Sequence, residues 1–591
     1  MAPHKAEKGI RPLCIGEPIY KACSTHLNAT NRQPIANALL PINYGCCVTS
    51  GLDFASTSIS AMLTEPVHRY GGMKDDVKNA FNEMDRRIIL RRLYDEESLS
   101  SMWRLADWSY NEPSPVYVMD RNGTILDVIM CSQGVKQGCP LALNLFCIGL
   151  NPTIKEAVQE LPGVIPIGIA DDVTFSGPPQ AVLQASVKFG ELLPTIGLSS
   201  RADKKKFIWL HDADLPEDVA SSLTEMNINT TTEGTIFAGI PIAATNDAIQ
   251  TLLAPTLDSV GEFLKILQHP AMPKLEAYQF LQQSANARCI NIARCLRPDF
   301  CAQFARVFDQ MILDTFEDLT SLHLSEIQSA QVRLPFSKSG FGLRPLESIS
   351  PCAYIGAAAA ITPLWKPALG ESWQTDYPLY TQTVFDTIDI VRDMIDRKDG
   401  NDLLPDDPTE FWNFHTDGKG RDLDRVQGWL TASSEGALFD AWKGSLSPGD
   451  RARVTSASQK FASMWQLSTA SDTRIENNLF VKAVLLRLGS PGQSCSDPAA
   501  ALSDKRTATK LKDLRHKFLT ESIAKWAERA GAERAETEPK NVWTVDNLRP
   551  DIDLILGGER FLVDVAVVHP TSTSYVIEAR MLWEPLPIWF P

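Results

Sequence analysis

The run VIPIGIADDVTFSG, Val164 to Gly177, leaves the chain few choices of local structure. Val164, Ile165, Ile167 and Ile169 lead up to Asp171-Asp172, and Val173 and Phe175 alternate away from it, with Gly168 and Gly177 bracketing the pair. A period of two on both sides of a short polar tip predicts two half-buried strands around a tight turn. Two carboxylates at the end of buried strands repel and raise each other's pKa unless a cation sits between them, and the usual cation is a divalent metal. An Asp pair is otherwise a common turn signal, and Asp406-Asp407, held between Pro405 and Pro408, reads as no more than that.

The rest of the chain gives the pair a context. With 591 residues, 44% of them hydrophobic, there is room for three or four domains with real cores, and disorder is excluded as the general state. No run reaches the ~18 apolar residues of a membrane span, and Met1 to Tyr20 lacks a signal-peptide apolar block. Twelve cysteines without one CxxC spacing point to a reducing, intracellular compartment. The formal net charge of -15 means that any nucleic-acid contact must use a local basic surplus. Lys204-Lys205-Lys206 and the stretch from Asp504 to Arg529 are the candidates, each with a solvated helix face as its plainer reading.

In chain order, KGIRPLCIGEPIYK (Lys8 to Lys21) sets Lys8 and Arg11 where a phosphate could be gripped. Gly72 to Leu93 places Phe81, Met84 and Ile88 at helical spacing after Asp76. Asp76 is therefore expected at a strand-to-helix junction, either facing a metal or serving as a helix cap. Val116 to Met119 and Thr124 to Ile129 flank Asp120-Arg121-Asn122-Gly123, the pattern of a hairpin with an Asn-Gly turn. Gly134, Gln137, Gly138 and Pro140 then make a rigid turn before an apolar helix, Leu141 to Leu150. Such a turn lets a base pair or ribose approach the backbone, with Gln137 as donor and acceptor; a packing turn explains it equally.

The order of these pieces resembles the reverse transcriptase of non-LTR retrotransposons. The resemblance is carried by GIRPLCIGE (Gly9 to Glu17), DVKNAFNEMDR (Asp76 to Arg86), QGVKQGCPL (Gln133 to Leu141), IADD (Ile169 to Asp172), GLSSRADKKKF (Gly197 to Phe207) and AGIPI (Ala238 to Ile242). It implies an α/β (α+β) right-hand polymerase: fingers and palm over 1–248, a helical thumb over 249–330, and a helical connector over 331–490. It also implies that Asp76 and Asp171 bind two Mg²⁺ ions, replaceable by Mn²⁺, with Asp172 supporting them. Arg11 and Lys8 would hold the triphosphate, Phe81 would crowd the sugar 2′ position, Gln137 would line the nucleotide pocket and Lys204 would sit near the pyrophosphate. The implied partners are an RNA template, a DNA primer or target and deoxynucleoside triphosphates, and the implied location is the nucleus. An RNA-dependent RNA polymerase shares the acidic chemistry, but Phe81 argues against it. A degenerate retroelement remnant that binds nucleic acid without catalysis is the alternative of another class.

The sequence departs from that family in several places. Ile169 replaces the usual aromatic before Ala-Asp-Asp, and the run into Asp76, TEPVHRYGGMKD, is poorly apolar where the family's strand is hydrophobic. The first motif starts almost at Met1, which suggests a fragment of a longer protein. Leu334 to Ala360 has a Gly-rich turn and a helix of small residues, and Asp393 to Asp424 reads as a loop or boundary. Residues 495–591 resemble a restriction-like endonuclease: a helix over Leu511 to Gly531, then strands carrying Asp551 and Asp564 around Gly557-Gly558. The lysine expected two residues after the second acid is Ala566, and the zinc-knuckle cluster is reduced to Cys495, so an inactive nuclease fold is as well supported as an active one.

Overall fold

The computed structural model describes residues 14–395, 404–414, 423–459 and 476–489, the isolated positions 462 and 466, and short pieces within 520–537 and 552–563. Lys8, Arg11, Cys495, Asp551, Asp564 and most of the helix expected over 511–531 lie outside the described residues.

The strands are β1 (Gly71–Asp76), β2 (Ser114–Met119), β3 (Ile125–Cys131), β4 (Ile165–Ile169), β5 (Asp172–Gly177), β6 (Lys206–Ile208), β7 (Asn229–Thr231), β8 (Thr235–Phe237), β9 (Ile240–Ile242), β10 (Arg534–Thr537), β11 (Ile552–Leu556) and β12 (Glu559–Val563). Five of them form the central sheet in the order β4-β5-β1-β6-β7. β4 and β5 make the expected hairpin around Ala170-Asp171, with Ile169 paired to Asp172. The strand that looked too polar, β1, lies in the middle of that sheet, antiparallel to both β5 and β6. Its weak hydrophobic signal has a physical reason. Glycines meet Phe207 and Leu63 at its start, and its acidic and basic residues find partners near its end.

Alternation divides the sheet into two faces. Met73, Val173, Phe175 and Phe207 belong to one core with the helices Ala142–Val158 and Pro179–Leu192. Ile167 and Ile208 belong to another core, under the helix Gly51–Thr64 and the long helix Leu346–Leu369. The apolar helix expected to end at Leu150 runs on to Val158. Between residues 246 and 489 the described elements are helices, and Asn246–Leu267, Lys274–Phe280 and Pro298–Thr320 build a third core. The architecture is thus mixed α and β, a small antiparallel-rich sheet set among helices. β2 and β3 pair around the Asn-Gly turn, where Asp120 accepts from the backbone N–H of Asn122 and Thr124 at 2.8 Å each. Asp407 caps a single 3-10 turn through Thr409 N–H, in keeping with its reading as a turn residue. In the C-terminal part β10, β11 and β12 form a three-stranded sheet, of which β10 was not anticipated.

Among the described residues no helix is long and apolar enough to cross a membrane.

Candidate active site

Strand register builds the site. β1 pairs with β5 so that Asp76 stands directly opposite Asp172, and paired residues in an antiparallel ladder put their side chains on the same face. On the other flank β1 pairs with β6 through Gly72–Ile208, Met73–Phe207 and Lys74–Lys206. Continuing that register by two residues sets Lys205 across from Asp75 and Lys204 across from Asp76. The side chains obey it: Lys204 Nζ lies 2.6 Å from Asp76 Oδ2, and Lys205 Nζ lies 2.6 Å from Asp75 Oδ1. A transverse row, Ile169, Asp172 and Asp76, therefore crosses β4, β5 and β1 on one face; Lys204 reaches its end from the 3-10 turn Ala202–Lys204 that precedes β6, and Asp171 occupies the hairpin turn beside it.

The turn itself is held from below. Ala170 has φ 55, in the left-handed region that a side-chain-bearing residue enters at a cost of about 1–2 kcal/mol. Asn43, fully buried, compensates it: its Nδ2 donates to Ala170 O at 3.1 Å, and its Oδ1 accepts from Ala170 N–H at 3.3 Å and Gly45 N–H at 3.0 Å. Gly45 must be glycine for space, because a Cβ there would meet Ala170 N at 2.4 Å. Asn43 was not found from sequence, since LPINYG shows no periodicity or motif that marks it.

Phe81 and Gln137 come together through the backbone. Phe81 lies in the short helix Ala80–Glu83 that follows β1, and its ring stacks on Phe146 with centroids 4.4 Å apart. The Gly134-to-Gln137 turn docks on this helix: Val135 N–H donates to Phe81 O at 2.7 Å, and Gly134 N–H to Met84 O at 2.9 Å. Gly134 has φ 60, and a Cβ on it would lie 2.3 Å from Phe81 O, so only glycine permits the approach. Gln137 Nε2 donates to Asn82 Oδ1 at 3.3 Å, and its carbonyl accepts from Cys14 N–H at 2.7 Å. Arg86, also absent from the sequence reading, locks the turn from inside. Its buried guanidinium donates to Cys131 O, Gly134 O and Gln133 O at 2.7 to 3.2 Å. Nearby, burial and the charge of Arg86 hold Lys136 below the usual lysine pKa.

The lysine run does not act as one basic patch. Lys204, itself exposed, pairs with Asp76; Lys205, largely covered, pairs with Asp75 and donates to Ser186 Oγ at 2.8 Å; Lys206 is exposed. Burial raises the Asp75 pKa, and the ammonium of Lys205 opposes that shift.

Among the described residues no three acidic, histidine or cysteine side chains stand close enough to close a metal site, and Lys204 supplies the positive charge at Asp76. The donors on offer are carboxylate oxygens only, the set that suits a hard divalent cation and not a softer transition metal. In the C-terminal sheet Asp553, to which the sequence assigns no role, is a buried acid among the described residues. Arg560 grips it at 2.8 and 3.0 Å and holds its carboxyl below the usual range.

No protein-family model matches the chain. It is 23% identical over 302 residues to the 132 kDa protein of the retrotransposable element SLACS of Trypanosoma brucei gambiense. That match takes in 51% of this chain and 24% of the relative, so this chain aligns with about a quarter of the SLACS protein. The resemblance to a retrotransposon protein read from the motifs is thereby met. Among solved structures, telomerase from Candida albicans in complex with a fragment of telomeric RNA covers 63% of this chain and 55% of its own, at 12% identity and a TM-score of 0.33. Apo telomerase from Candida tropicalis covers 65% and 59%, at 11% identity and a TM-score of 0.33. At that level of superposition neither likeness bears on how this chain works.

Proposed function

We propose that this chain is a reverse-transcriptase-like nucleotidyltransferase that copies an RNA template into DNA, joining the α-phosphate of a deoxynucleoside triphosphate to a primer 3′-hydroxyl. The observation that carries the reading is Asp172 and Asp76 side by side on two paired strands, with Lys204 against Asp76 from the turn before β6 and Asp171 in the hairpin turn at their side. The ordered motifs and the retrotransposon relative support it.

Asp76, Asp171 and Asp172 would hold Mg²⁺, or Mn²⁺ in its place, because carboxylate oxygens on a rigid sheet edge are the ligands such ions take. Two ions bound there would supply the charge neutralisation and the lowered hydroxyl pKa that phosphoryl transfer needs. The chain's own residues do the rest. Asn43 fixes the Asp171 turn, β1 fixes Asp76 opposite Asp172, and Lys204 brings an ammonium to the end of the row, where departing pyrophosphate oxygens need a cation. Phe81, braced on Phe146, is the side chain that would crowd a 2′-hydroxyl, and Gln137 offers a donor and an acceptor beside it. Lys8 and Arg11 enter as triphosphate ligands on the motif resemblance alone. The domain limits 1–248, 249–330, 331–490 and 495–591 and a nuclear location enter on the same ground.

One feature favours a second reading, a nucleic-acid-binding remnant without catalysis: Lys204 neutralises Asp76 at 2.6 Å. Primer extension separates the two. The polymerase reading expects Mg²⁺-dependent extension of a DNA primer on an RNA template, abolished by Asp171→Asn. Extension undiminished in that variant, or absent from the unmutated chain while RNA is still bound, would overturn it.

A further inference from the structure

Two adjacent acids at the end of β1 meet two adjacent lysines just before β6, Lys204 closing the 3-10 turn Ala202–Lys204: Asp76 with Lys204 at the exposed end of one face, Asp75 with Lys205 on the buried side of the other. The buried pair is the unusual half. Its side chains are 1% and 11% exposed, and it sits in a core that also holds Met73, Val173, Phe175 and Phe207. An apolar pair of similar volume would hold the strands together as well, since taking two charges out of water offsets most of their attraction. Direction is what the ion pair adds. Lys205 reaches both Asp75 on β1 and the Ser186 hydroxyl on the helix Pro179–Leu192, so the residue after Lys204 is pinned to two elements at once. The backbone is tied there too, with Arg201 N–H donating to Asp76 O at 2.8 Å and Lys78 N–H to Ser199 O at 2.9 Å. A slip of one residue toward β6 would still set a lysine against each acid, and a slip the other way would set Asp203 against Asp76; either would turn the fully buried Phe207 outward.

We propose that Asp75, Lys205 and Ser186 form an internal tether that delivers Lys204 to Asp76, which makes Lys205 a positioning residue of the active site. The proposal rests on the polymerase reading only for its effect on catalysis; the tether itself is a statement about where the Lys204 ammonium stands.

The test uses the full chain and two readouts. In the first, an N-hydroxysuccinimide ester acylates exposed amines, and mass spectrometry reads the extent at Lys204 with exposed Lys206 as the internal reference. Lys204 in the unmutated protein is exposed but has its ammonium engaged by Asp76 at 2.6 Å, and Asp76→Asn sets the value for a released ammonium. Lys205→Met is expected to raise Lys204 acylation several-fold toward that value. Because it leaves Asp75 buried without a counter-charge, the double variant Asp75→Leu with Lys205→Met is made alongside it, which keeps an apolar pair and the fold. Released Lys204 in the folded double variant supports the tether; Lys204 as protected as in the unmutated chain overturns it, whatever happens to the melting temperature. In the second readout, primer extension by the double variant is expected to fall about 10²-fold, the cost of misplacing a reacting group by about 1 Å, with a higher KM for the nucleotide. Released Lys204 with unchanged extension would overturn the positioning role. A chain that never extends a primer but still releases Lys204 would sink the polymerase reading and leave the tether standing.

Discussion

Replacing Asn43 by alanine isolates the support under the Asp171 turn. Three hydrogen bonds vanish, two to Ala170 and one to Gly45, at a site with no solvent exposure. Each is worth about 1 kcal/mol net, and a buried partner left unpaired costs up to about 3, so the loss comes to about 3 kcal/mol or somewhat more. For a cooperative unit of this size that lowers the melting temperature by roughly 6–12 °C, read by circular dichroism. The local effect is sharper. Ala170 sits in the left-handed region because Asn43 holds it there, and freeing it lets the turn relax and carry Asp171 away from Asp76. Extension is then expected to drop about 10²-fold in a protein that is still folded. A compensating change checks the logic: Ala170→Gly adopts the same backbone angle without the Cβ clash and should return roughly 1 kcal/mol to the Asn43→Ala protein. Unchanged stability and unchanged extension in Asn43→Ala would refute the account, and so would an Ala170→Gly that further destabilises it.

Asp309 gives a pH signature in the helical region. Its carboxylate accepts from the N–H groups of Leu346 and Glu347 at 2.6 and 3.0 Å, yet burial pushes its pKa up to about 6. A folded pKa above the unfolded value of about 3.9 means that the fold binds the proton more tightly, so this contribution is full below about pH 4 and is lost as pH rises through 6. The unmutated chain should lose up to about 3 kcal/mol relative to Asp309→Asn between pH 4 and 7, seen in urea titrations; a flat or rising difference would contradict the burial argument. Phe81→Ala removes a half-buried ring stacked on Phe146, with an expected cost of about 2 kcal/mol. If that ring guards the sugar, the variant should also incorporate ribonucleotides that the parent rejects, and unchanged discrimination in a gel assay would remove Phe81 from the pocket.

What could be read from the sequence, and what could not, follows from how each residue is held. The β4–β5 hairpin was legible because its stability comes from period-two burial, a pattern that survives in one dimension. The β2–β3 hairpin was legible because Asp120 and Gly123 carry the turn's own chemistry. β1 reads as poorly apolar, although it lies at the centre of the sheet. Hydrophobic patterning scores a buried Asp75 as an error unless the lysine that neutralises it, 130 residues later, is known to be its partner. Asn43 and Arg86 escaped for the same reason, since a buried polar side chain is specified by the backbone groups it satisfies, and those belong to other segments. The lysine run was the opposite case: it looked like one surface feature, and the structure splits it into a partner of Asp76, a largely buried partner of Asp75 and the exposed Lys206. Charge counted along the chain therefore says little about this site. Charge counted across the strands, acid against acid on one side of β1 and lysine against acid on the other, gives Asp76 both a neighbour to share a cation with and a counter-ion to hold it until one arrives.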